Sequence, residues 1–271
     1  MNTPSPIDPL SIALIGCGKM GGAMLHGWLA AGMTHAAYVV EPGHLPPELA
    51  HNPVVKHLHN ADALPITDVL VLAVKPQLIA EVCASLKLDP STLVLSIAAG
   101  QKLANFEKHF GDTHPIIRAM PNTPASIAKG MTVLVANKNV TKDHHEMATQ
   151  LLSATGHVEW VKDEDLMDAV TALSGSGPAY VFHLIEVMTQ AGIECGLDAD
   201  FAKSLARQTV IGSAALAEAE HETPAEHLRK NVTSPGGTTE AALNILMNGE
   251  MQDIFTRALM AATARSKELS K

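Results

Sequence analysis

The stretch "IALIGCGKMGGAM", residues 12–24, connects an apolar run to a helical pattern through spaced glycines. Gly16, Gly18 and Gly21 form G-x-G-x-x-G directly after a predicted strand, and the predicted helix runs to about Ala31. The first glycine permits a tight turn, the second lets a pyrophosphate approach the backbone, and the third lets helix and strand pack closely. The helix N-terminus then faces the phosphates. The pattern alone is weak evidence, but its position between strand and helix predicts dinucleotide binding.

A carboxylate stands where such a domain contacts the adenosine ribose. Glu41 ends the second predicted strand, twenty residues beyond Gly21, and a carboxylate there accepts hydrogen bonds from the ribose hydroxyls but repels a 2′-phosphate. The following "PGHLPPE" offers only His44, and no Arg or Lys, to neutralise a phosphate. We therefore expect NADH to be preferred to NADPH. In the alternative, Glu41 faces solvent, and Asn60 and backbone contacts set the preference.

Two further loops follow predicted strands, at the edge of a parallel sheet where ligands bind. "AVKPQ", residues 73–77, places Lys75 and Pro76 beside the cofactor; the alternative for Lys75 is a solvated residue at a helix start. "RAMPNTPAS", residues 118–126, is a rigid loop suited to the nicotinamide side.

The two parts of the chain have different patterns, which predict an α/β fold with an all-α second domain. Short apolar runs that alternate with helical stretches predict a doubly wound, Rossmann-like parallel sheet: "SIALIG", "AAYVVE", "DVLVLAV", "TLVLSIA", "PIIRAM", "MTVLVA" and "HVEWV". Strand patterns stop after Asp163, and the predicted helices cover 164–173, 178–195, 199–220, 224–231, 239–248 and 252–269. We assign residues 1–10 to a loose tail, 11–162 to the dinucleotide-binding domain, and 163–271 to a dimerisation and substrate domain. A helical segment without a sheet of its own often buries its apolar stripes against a second copy, so we expect at least a homodimer; the alternative is a monomer.

Composition limits the classes of partner and compartment. The chain has 271 residues, 46% of them hydrophobic, and a net charge of −9, which argues against nucleic acid or an anionic membrane as partner. Cys17, Cys83 and Cys195 form neither a C-x-x-C pair nor an even disulfide set, so we expect a reducing compartment, the cytoplasm. We expect neither a signal peptide nor a membrane-spanning segment. His144 and His145 lack neighbouring ligands at suitable spacing, so we expect no metal site.

The stretch "NVTSPGGTTEAAL", residues 231–243, interrupts the helical part with small residues. It has two interpretations: a turn between helices, or an anion-binding cradle in which glycines admit a ligand to the backbone and a helix beginning near Thr239 directs N–H groups toward it. Local chemistry alone leaves both open.

Taken together, "GCGKMG", "AVKPQ", "SIAAG", "RAMPNTPA", "LSGSGPAY" and "NVTSPGGTTEAAL" resemble pyrroline-5-carboxylate reductase, in the order found in that family, over residues 11 to about 265. The resemblance implies NAD(P)H-dependent reduction of L-1-pyrroline-5-carboxylate to L-proline. It also implies an intertwined dimer, in which the 231–241 loop of one subunit meets the nicotinamide bound by the other, and assembly of dimers into decamers. The family's dinucleotide contacts correspond here to Ile15, Gly16, Cys17, Gly18, Lys19, Met20, Asn60, Ala73, Val74, Lys75, Pro76, Ala98, Ala99 and Asn231. Its substrate contacts correspond to Ser234, Gly236, Gly237, Thr238 and Thr239.

This resemblance favours the cradle interpretation of the 231–243 stretch, because the substrate is a cyclic imine that carries one carboxylate. We expect the amides of Gly236 and Gly237 to hold the carboxylate, and Thr239 to contact the ring nitrogen. A protonated imine is already a strong electrophile, so hydride transfer needs orientation and a hydrogen-bond partner more than a strong base.

Two other functions share parts of this pattern. β-Hydroxyacid dehydrogenases resemble G-x-G-x-x-x-K-x-x-x-N in their interdomain helix, but counting from Gly175 places Val181 and Ile185 at the Lys and Asn positions. His183 and Glu186 lie on the same helix, where packing or solvent exposure explains them better than catalysis. A dinucleotide-sensing regulator would keep the first domain and have no need of a cradle.

Overall fold

The computed structural model describes residues 8–270, so most of the predicted N-terminal tail lies outside the described residues. The sheet has eight strands: β1 Leu10–Ile15, β2 Thr34–Val40, β3 Val55–Leu58, β4 Val69–Leu72, β5 Leu93–Ser96, β6 Ile116–Met120, β7 Gly130–Ala136 and β8 Gly156–Trp160. Their spatial order is β3-β2-β1-β4-β5-β6-β7-β8. The first six follow the order of a dinucleotide-binding sheet, which confirms the predicted fold class.

Two details of the sheet differ from the prediction. β7 runs antiparallel to β6, with Met120 opposite Val133, so the prediction of a wholly parallel sheet was wrong for this pair. Residues 121–129 connect these strands and contain only a 3₁₀ turn, which is too short for the helical crossover that a parallel pair requires. β3 was not predicted, and it forms a four-residue edge strand paired with β2.

Eleven α-helices lie within the described residues: α1 Lys19–Ala30, α2 Pro47–Ala50, α3 Ile79–Ser85, α4 Leu103–Phe110, α5 Lys142–Ser153, α6 Met167–Val170, α7 Gly177–Glu194, α8 Ala199–Ala219, α9 Ala225–Asn231, α10 Thr238–Leu246 and α11 Glu250–Leu269. A π-helical turn, Thr171–Gly175, follows α6. Five predicted helices of the second part of the chain are confirmed with small shifts at their ends, whereas the predicted helix 164–173 is a 3₁₀ turn, Glu164–Leu166, followed by α6 and the π-helical turn.

Apolar side chains cover both faces of the sheet, as a doubly wound fold requires. Ile12 and Leu14 pack in one cluster with Trp28 of α1. Ala13 and Ile15, which point the opposite way along β1, pack in the other cluster. The two clusters cover the faces of the sheet but not the carboxyl ends of its strands. At that edge the surface is formed by loops.

The chain divides into two compact units. One comprises the residues up to Gly175 together with those from Ala262 onward, and the other is Ser176–Ala261. Within the second unit α7 packs on α8, and Ala202 and Ala206 are its buried hydrophobic residues in this single chain. Large apolar side chains are exposed along α7, α8, α10 and α11 of this unit, among them Phe182, Phe201, Ile211, Leu216, Ile245 and Phe255. An isolated unit of this kind leaves most of its apolar surface in water, which is costly.

Candidate active site

A cavity of about 680 Å³ opens where β1, β2 and β4 end. Its walls include eight of the predicted cofactor residues: Ile15, Gly16, Gly18, Glu41, Asn60, Ala73, Val74 and Lys75. These residues come from four separate segments, which follow β1, β2, β3 and β4, and the sheet order brings them together. The cavity therefore lies at the position where a doubly wound sheet binds a dinucleotide.

The glycine loop fits a pyrophosphate. Gly16 has φ +91°, and a Cβ there would lie 2.8 Å from Val74 Cγ1, so this position requires glycine. A Cβ on Gly21 would strike the Gly16 carbonyl oxygen, which keeps α1 close to the loop. By contrast, no heavy atom lies within 4 Å of the position of a Cβ on Gly18, and no side chain caps α1. The open face over Gly18 and the uncapped N–H groups provide room and donors for phosphate oxygens.

Glu41 is held at the wall of the cavity by backbone N–H groups. Its carboxylate accepts a hydrogen bond from the Cys17 N–H at 2.9 Å and one from the Gly43 N–H at 3.1 Å. Burial, and secondarily the charge of Glu41, raises the pKa of the Cys17 thiol to about 11. Cys17 is therefore protonated at neutral pH and contributes its backbone to the site, not a nucleophile.

Lys75 is exposed at the mouth of the cavity, directly before a 3₁₀ turn that begins at Pro76. Asn60 is also exposed, and its side-chain oxygen accepts a hydrogen bond from the Asp62 N–H at 3.1 Å. The carboxamide N–H groups of Asn60 have no acceptor among the described residues and are available to a ligand.

Several walls of the cavity were not predicted: Val40, Pro42, His59, Ala61, Leu78, Glu81, Val82 and Ser85. The first four neighbour predicted residues along the chain. The last four recur at helical spacing and form one face of the α3 segment, a periodicity that the sequence displays and that would have identified this wall.

The remaining predicted cofactor residues do not line this cavity. Cys17 lies within the glycine loop between Gly16 and Gly18; Lys19, Met20 and Gly21 form the first turn of α1, and Pro76 starts the 3₁₀ turn. Ala98 and Ala99 follow β5, Ala98 buried and Ala99 exposed. Asn231 ends α9 in the second unit.

The predicted substrate loop connects α9 to α10. Gly236 has φ +70°, and its N–H donates to Glu240 Oε2 at 2.7 Å. The Gly237 N–H donates to the Ser234 carbonyl at 3.0 Å. Both glycine amides, which we expected to hold a substrate carboxylate, thus have acceptors in this structure: Glu240 on α10 and Ser234 in the loop.

The threonines of this loop are less engaged. Gly237 is the N-cap of α10 and provides no side-chain cap, so the first-turn N–H groups point out of the helix end. The hydroxyl of half-buried Thr239 forms no hydrogen bond with any described residue. Ser234 and Thr238 are exposed. A helix start with uncapped donors beside a hydroxyl is suited to an anionic ligand that also carries a hydrogen-bonding nitrogen.

The residues that alcohol chemistry would use are absent from α7. Val181 and Ile185 have no group that can donate or accept a proton, and His183 pairs with Glu186 at 3.0 Å with both side chains largely in solvent. No group of three or more His, Cys, Asp or Glu residues within 8–270 could hold a metal ion. None of the described helices is long and apolar enough to cross a membrane.

Comparison with known proteins supplies the family. Residues 164–269 match the model for pyrroline-5-carboxylate reductase dimerisation, and residues 11–100 match the model described as NADP oxidoreductase coenzyme F420-dependent. A pyrroline-5-carboxylate reductase of Pseudomonas aeruginosa is 42% identical over 268 residues, covering 96% of this chain and 97% of the relative. The chain belongs to the pyrroline-5-carboxylate reductase family. The resemblance inferred from sequence is confirmed, and the chain is an oxidoreductase.

Further members agree across most of the chain. A pyrroline-5-carboxylate reductase of Pasteurella multocida is 38% identical and covers 96% of this chain and 98% of the relative. The solved structure of a pyrroline-5-carboxylate reductase from Coxiella burnetii has a TM-score of 0.89 at 38% identity and covers 97% of this chain and 100% of its own. The Plasmodium falciparum pyrroline carboxylate reductase, solved with NADP bound, has a TM-score of 0.80 at 29% identity and covers 97% and 98%.

Proposed function

We propose that the chain catalyses the NAD(P)H-dependent reduction of L-1-pyrroline-5-carboxylate to L-proline, the last step of proline biosynthesis, by hydride transfer to the carbon of the cyclic imine. One observation carries the proposal: a glycine-lined cavity fit for a dinucleotide coexists with the 234–239 loop, which lies in the segment that matches the reductase dimerisation model.

The cofactor is held by the residues expected from sequence, with backbone N–H groups of the glycine loop on the pyrophosphate and Glu41 on the ribose. A bound reduced nicotinamide supplies the hydride. The contribution of the chain is to hold the nicotinamide and the imine in the orientation that hydride transfer needs. Ala98, Ala99, Pro76 and Asn231 complete the cofactor contacts.

The substrate carboxylate lies at the start of α10, and Ser234, Gly236, Gly237, Thr238 and Thr239 surround the ring. The positive end of the helix dipole and the first-turn N–H groups favour a carboxylate there. The Thr239 hydroxyl, which is without a partner among the described residues, hydrogen-bonds the ring nitrogen. Because the protonated imine is already electrophilic, this contact positions the ring and no strong base is needed.

Glu41 gives the site a preference for NADH. Its two backbone hydrogen bonds hold the carboxylate at the cavity wall, where it accepts ribose hydroxyls and repels a 2′-phosphate. Lys75 is the single Lys or Arg among the described residues that line the cavity. The test is the ratio of kcat/KM for NADH to that for NADPH in wild type, Glu41→Ser and Glu81→Gln. We expect Glu41→Ser to shift the ratio toward NADPH by roughly 10-fold, an interaction of order 1 kcal/mol.

Glu81→Gln is the matched control, because it removes a carboxylate from another wall of the same cavity. A wild type that already prefers NADPH, or a ratio that Glu41→Ser leaves unchanged, would show that Glu41 does not set the preference.

The exposed apolar side chains of the second unit support a homodimer with a shared site, in which the 231–241 loop of one subunit meets the nicotinamide bound by its partner. Assembly of such dimers into a decamer, and a cytoplasmic location, are part of the same proposal. Light scattering of the full chain measures the assembly: a mass of 28.6 kDa per particle, that of one chain, at concentrations where the protein turns over would refute the shared site.

The decisive experiment measures oxidation of NADH and of NADPH, side by side, with pyrroline-5-carboxylate, and identifies proline as the product. A β-hydroxyacid with NAD⁺ serves as the control substrate, because Val181 and Ile185 predict no turnover of it. Absence of proline formation with either cofactor would refute the proposed function.

A further inference from the structure

The Gly236–Gly237 turn already binds a carboxylate, and that carboxylate belongs to the chain itself. The 2.7 Å distance from the Gly236 nitrogen to Glu240 Oε2 is in the range of a charge-assisted hydrogen bond. The turn is open at this point, since no heavy atom lies within 4 Å of where a Cβ on Gly236 would stand. A carboxylate oxygen on the Gly236 N–H is the contact that we expected a substrate to make.

This contact differs from an ordinary helix cap. In a capping box, the acidic residue at the third helical position reaches back to the N–H of the N-cap residue. Here the N-cap is Gly237, whose N–H donates to the Ser234 carbonyl, and Glu240 extends one residue further, to Gly236. The carboxylate therefore lies over the turn and not over the helix end.

Glu240 has little else to hold it in place. It forms no ion pair with a described Lys, Arg or His residue, and its hydrogen bond to Gly236 is its side-chain contact within the described loop. Two carboxylates cannot share one N–H donor without repulsion and competition. A substrate carboxylate that uses the Gly236 amide must displace that of Glu240.

We propose that Glu240 occupies the substrate-carboxylate position of the 234–239 loop in the free enzyme and is displaced on binding, so that it sets the affinity for the substrate. This inference rests on the proposed function, because it assigns the same loop to the same substrate. Displacement breaks a bond in the free enzyme only, and Glu240 touches no reacting atom. Its removal therefore lowers KM for the imine and leaves kcat unchanged.

The test compares steady-state kinetics of the full chain in wild type, Glu240→Gln, Glu240→Asp and Glu250→Gln, with pyrroline-5-carboxylate varied at saturating cofactor. We expect Glu240→Gln to lower KM roughly 5-fold, the scale of one partly exposed charge contact. Glu240→Asp keeps the charge on a side chain too short for this contact, so it separates the hydrogen bond from simple repulsion: a fall in KM shows that the bond competes. Glu250→Gln removes a carboxylate from the first turn of the neighbouring helix, α11, and leaves KM unchanged.

Inhibition by acetate is the second readout, because acetate carries the carboxylate of the substrate without its imine ring. The competitive inhibition constant Ki of acetate falls in Glu240→Gln in parallel with KM. A KM that rises or stays constant in Glu240→Gln, or an equal fall in Glu250→Gln, overturns the inference and makes Glu240 a structural cap. Wild type that forms no proline refutes the proposed function instead, so the two failures are distinct.

Discussion

A partly buried ion pair joins Glu164, at the beginning of the helical part of the chain, to Arg118 of strand β6, and the arginine is the more deeply buried of the two. Arg118 Nη1 lies 2.9 Å from Glu164 Oε1, with side-chain exposures of 4% for Arg118 and 23% for Glu164. The same Glu164 oxygen accepts the N–H of Leu103 at the start of α4. At 2.9 Å the attraction is about 6 kcal/mol for an effective dielectric constant of about 20, before the desolvation of both groups is subtracted.

The exposures predict an asymmetry. Glu164→Leu leaves the Arg118 charge buried without a partner and removes the acceptor of Leu103, so it should lower the free energy of unfolding by roughly 3 kcal/mol. Arg118→Met leaves a glutamate that can turn toward water, so its cost should be roughly half as large. The double variant should lose less than the sum of the two, because no charge remains stranded.

Urea unfolding followed by circular dichroism measures these differences, and the thermal midpoint of Glu164→Leu should fall by about 6–12 °C. The control is Glu268→Gln, which breaks the exposed Arg265–Glu268 pair and should cost under about 0.5 kcal/mol. Equal losses for Glu164→Leu and Arg118→Met, or a larger loss for the arginine variant, would show that burial of the guanidinium does not govern the pair.

Three further outcomes follow from the site and the core. Thr239→Val should reduce kcat about 30-fold, equivalent to roughly 2 kcal/mol of transition-state stabilisation, while the cofactor Kd stays constant; Thr238→Val is the control, and undiminished turnover in Thr239→Val would remove that hydroxyl from the mechanism. Gly237→Ala should raise KM for the imine and spare cofactor binding, because its Cβ would lie 3.0 Å from the Ser234 carbonyl oxygen; equal damage to both would mean that the turn is merely structural. Burial lowers the pKa of His114 below its usual 6.5, so the folded state binds the proton less well than the unfolded chain and the free energy of unfolding should decrease as pH falls below about 6.5. His114→Gln should flatten that decrease between about pH 7 and 5, and an unaltered slope would assign it to other groups.

The local pattern of apolar residues was sufficient to predict most strands of the first unit. Strands such as β1 and β4 are continuous apolar runs, which a sheet covered on both faces requires. β3 escaped because its four residues include Lys56 and His57, so a short edge strand carries too little apolar signal. The direction of β7 depends on the length of its connection to β6, and no property of its own residues specifies it.

The sequence predicted those parts of the candidate site in which the backbone conformation requires a glycine. Gly16 and Gly236 both have positive φ and were both identified from the glycine patterns. The hydrogen bond from Gly236 to Glu240 was not, because a glutamate at this helical position is expected to reach the N-cap. The turn conformation decides which of the two adjacent glycine N–H groups donates to the Glu240 carboxylate. Residue types alone do not specify that conformation.

The raised pKa of the Cys17 thiol affects how readily the glycine loop is oxidised or alkylated. With a pKa of about 11, about one thiol in ten thousand is ionised at pH 7. Oxidation to sulfenic acid and alkylation both proceed through the thiolate, so they are slowed in proportion. A cysteine placed within a phosphate-binding turn would ordinarily gain reactivity from the helix dipole, and here burial beside a carboxylate reverses that tendency. The loop thus carries a sulfur atom that reacts slowly with peroxide and electrophiles, because burial and Glu41 keep it in the thiol form.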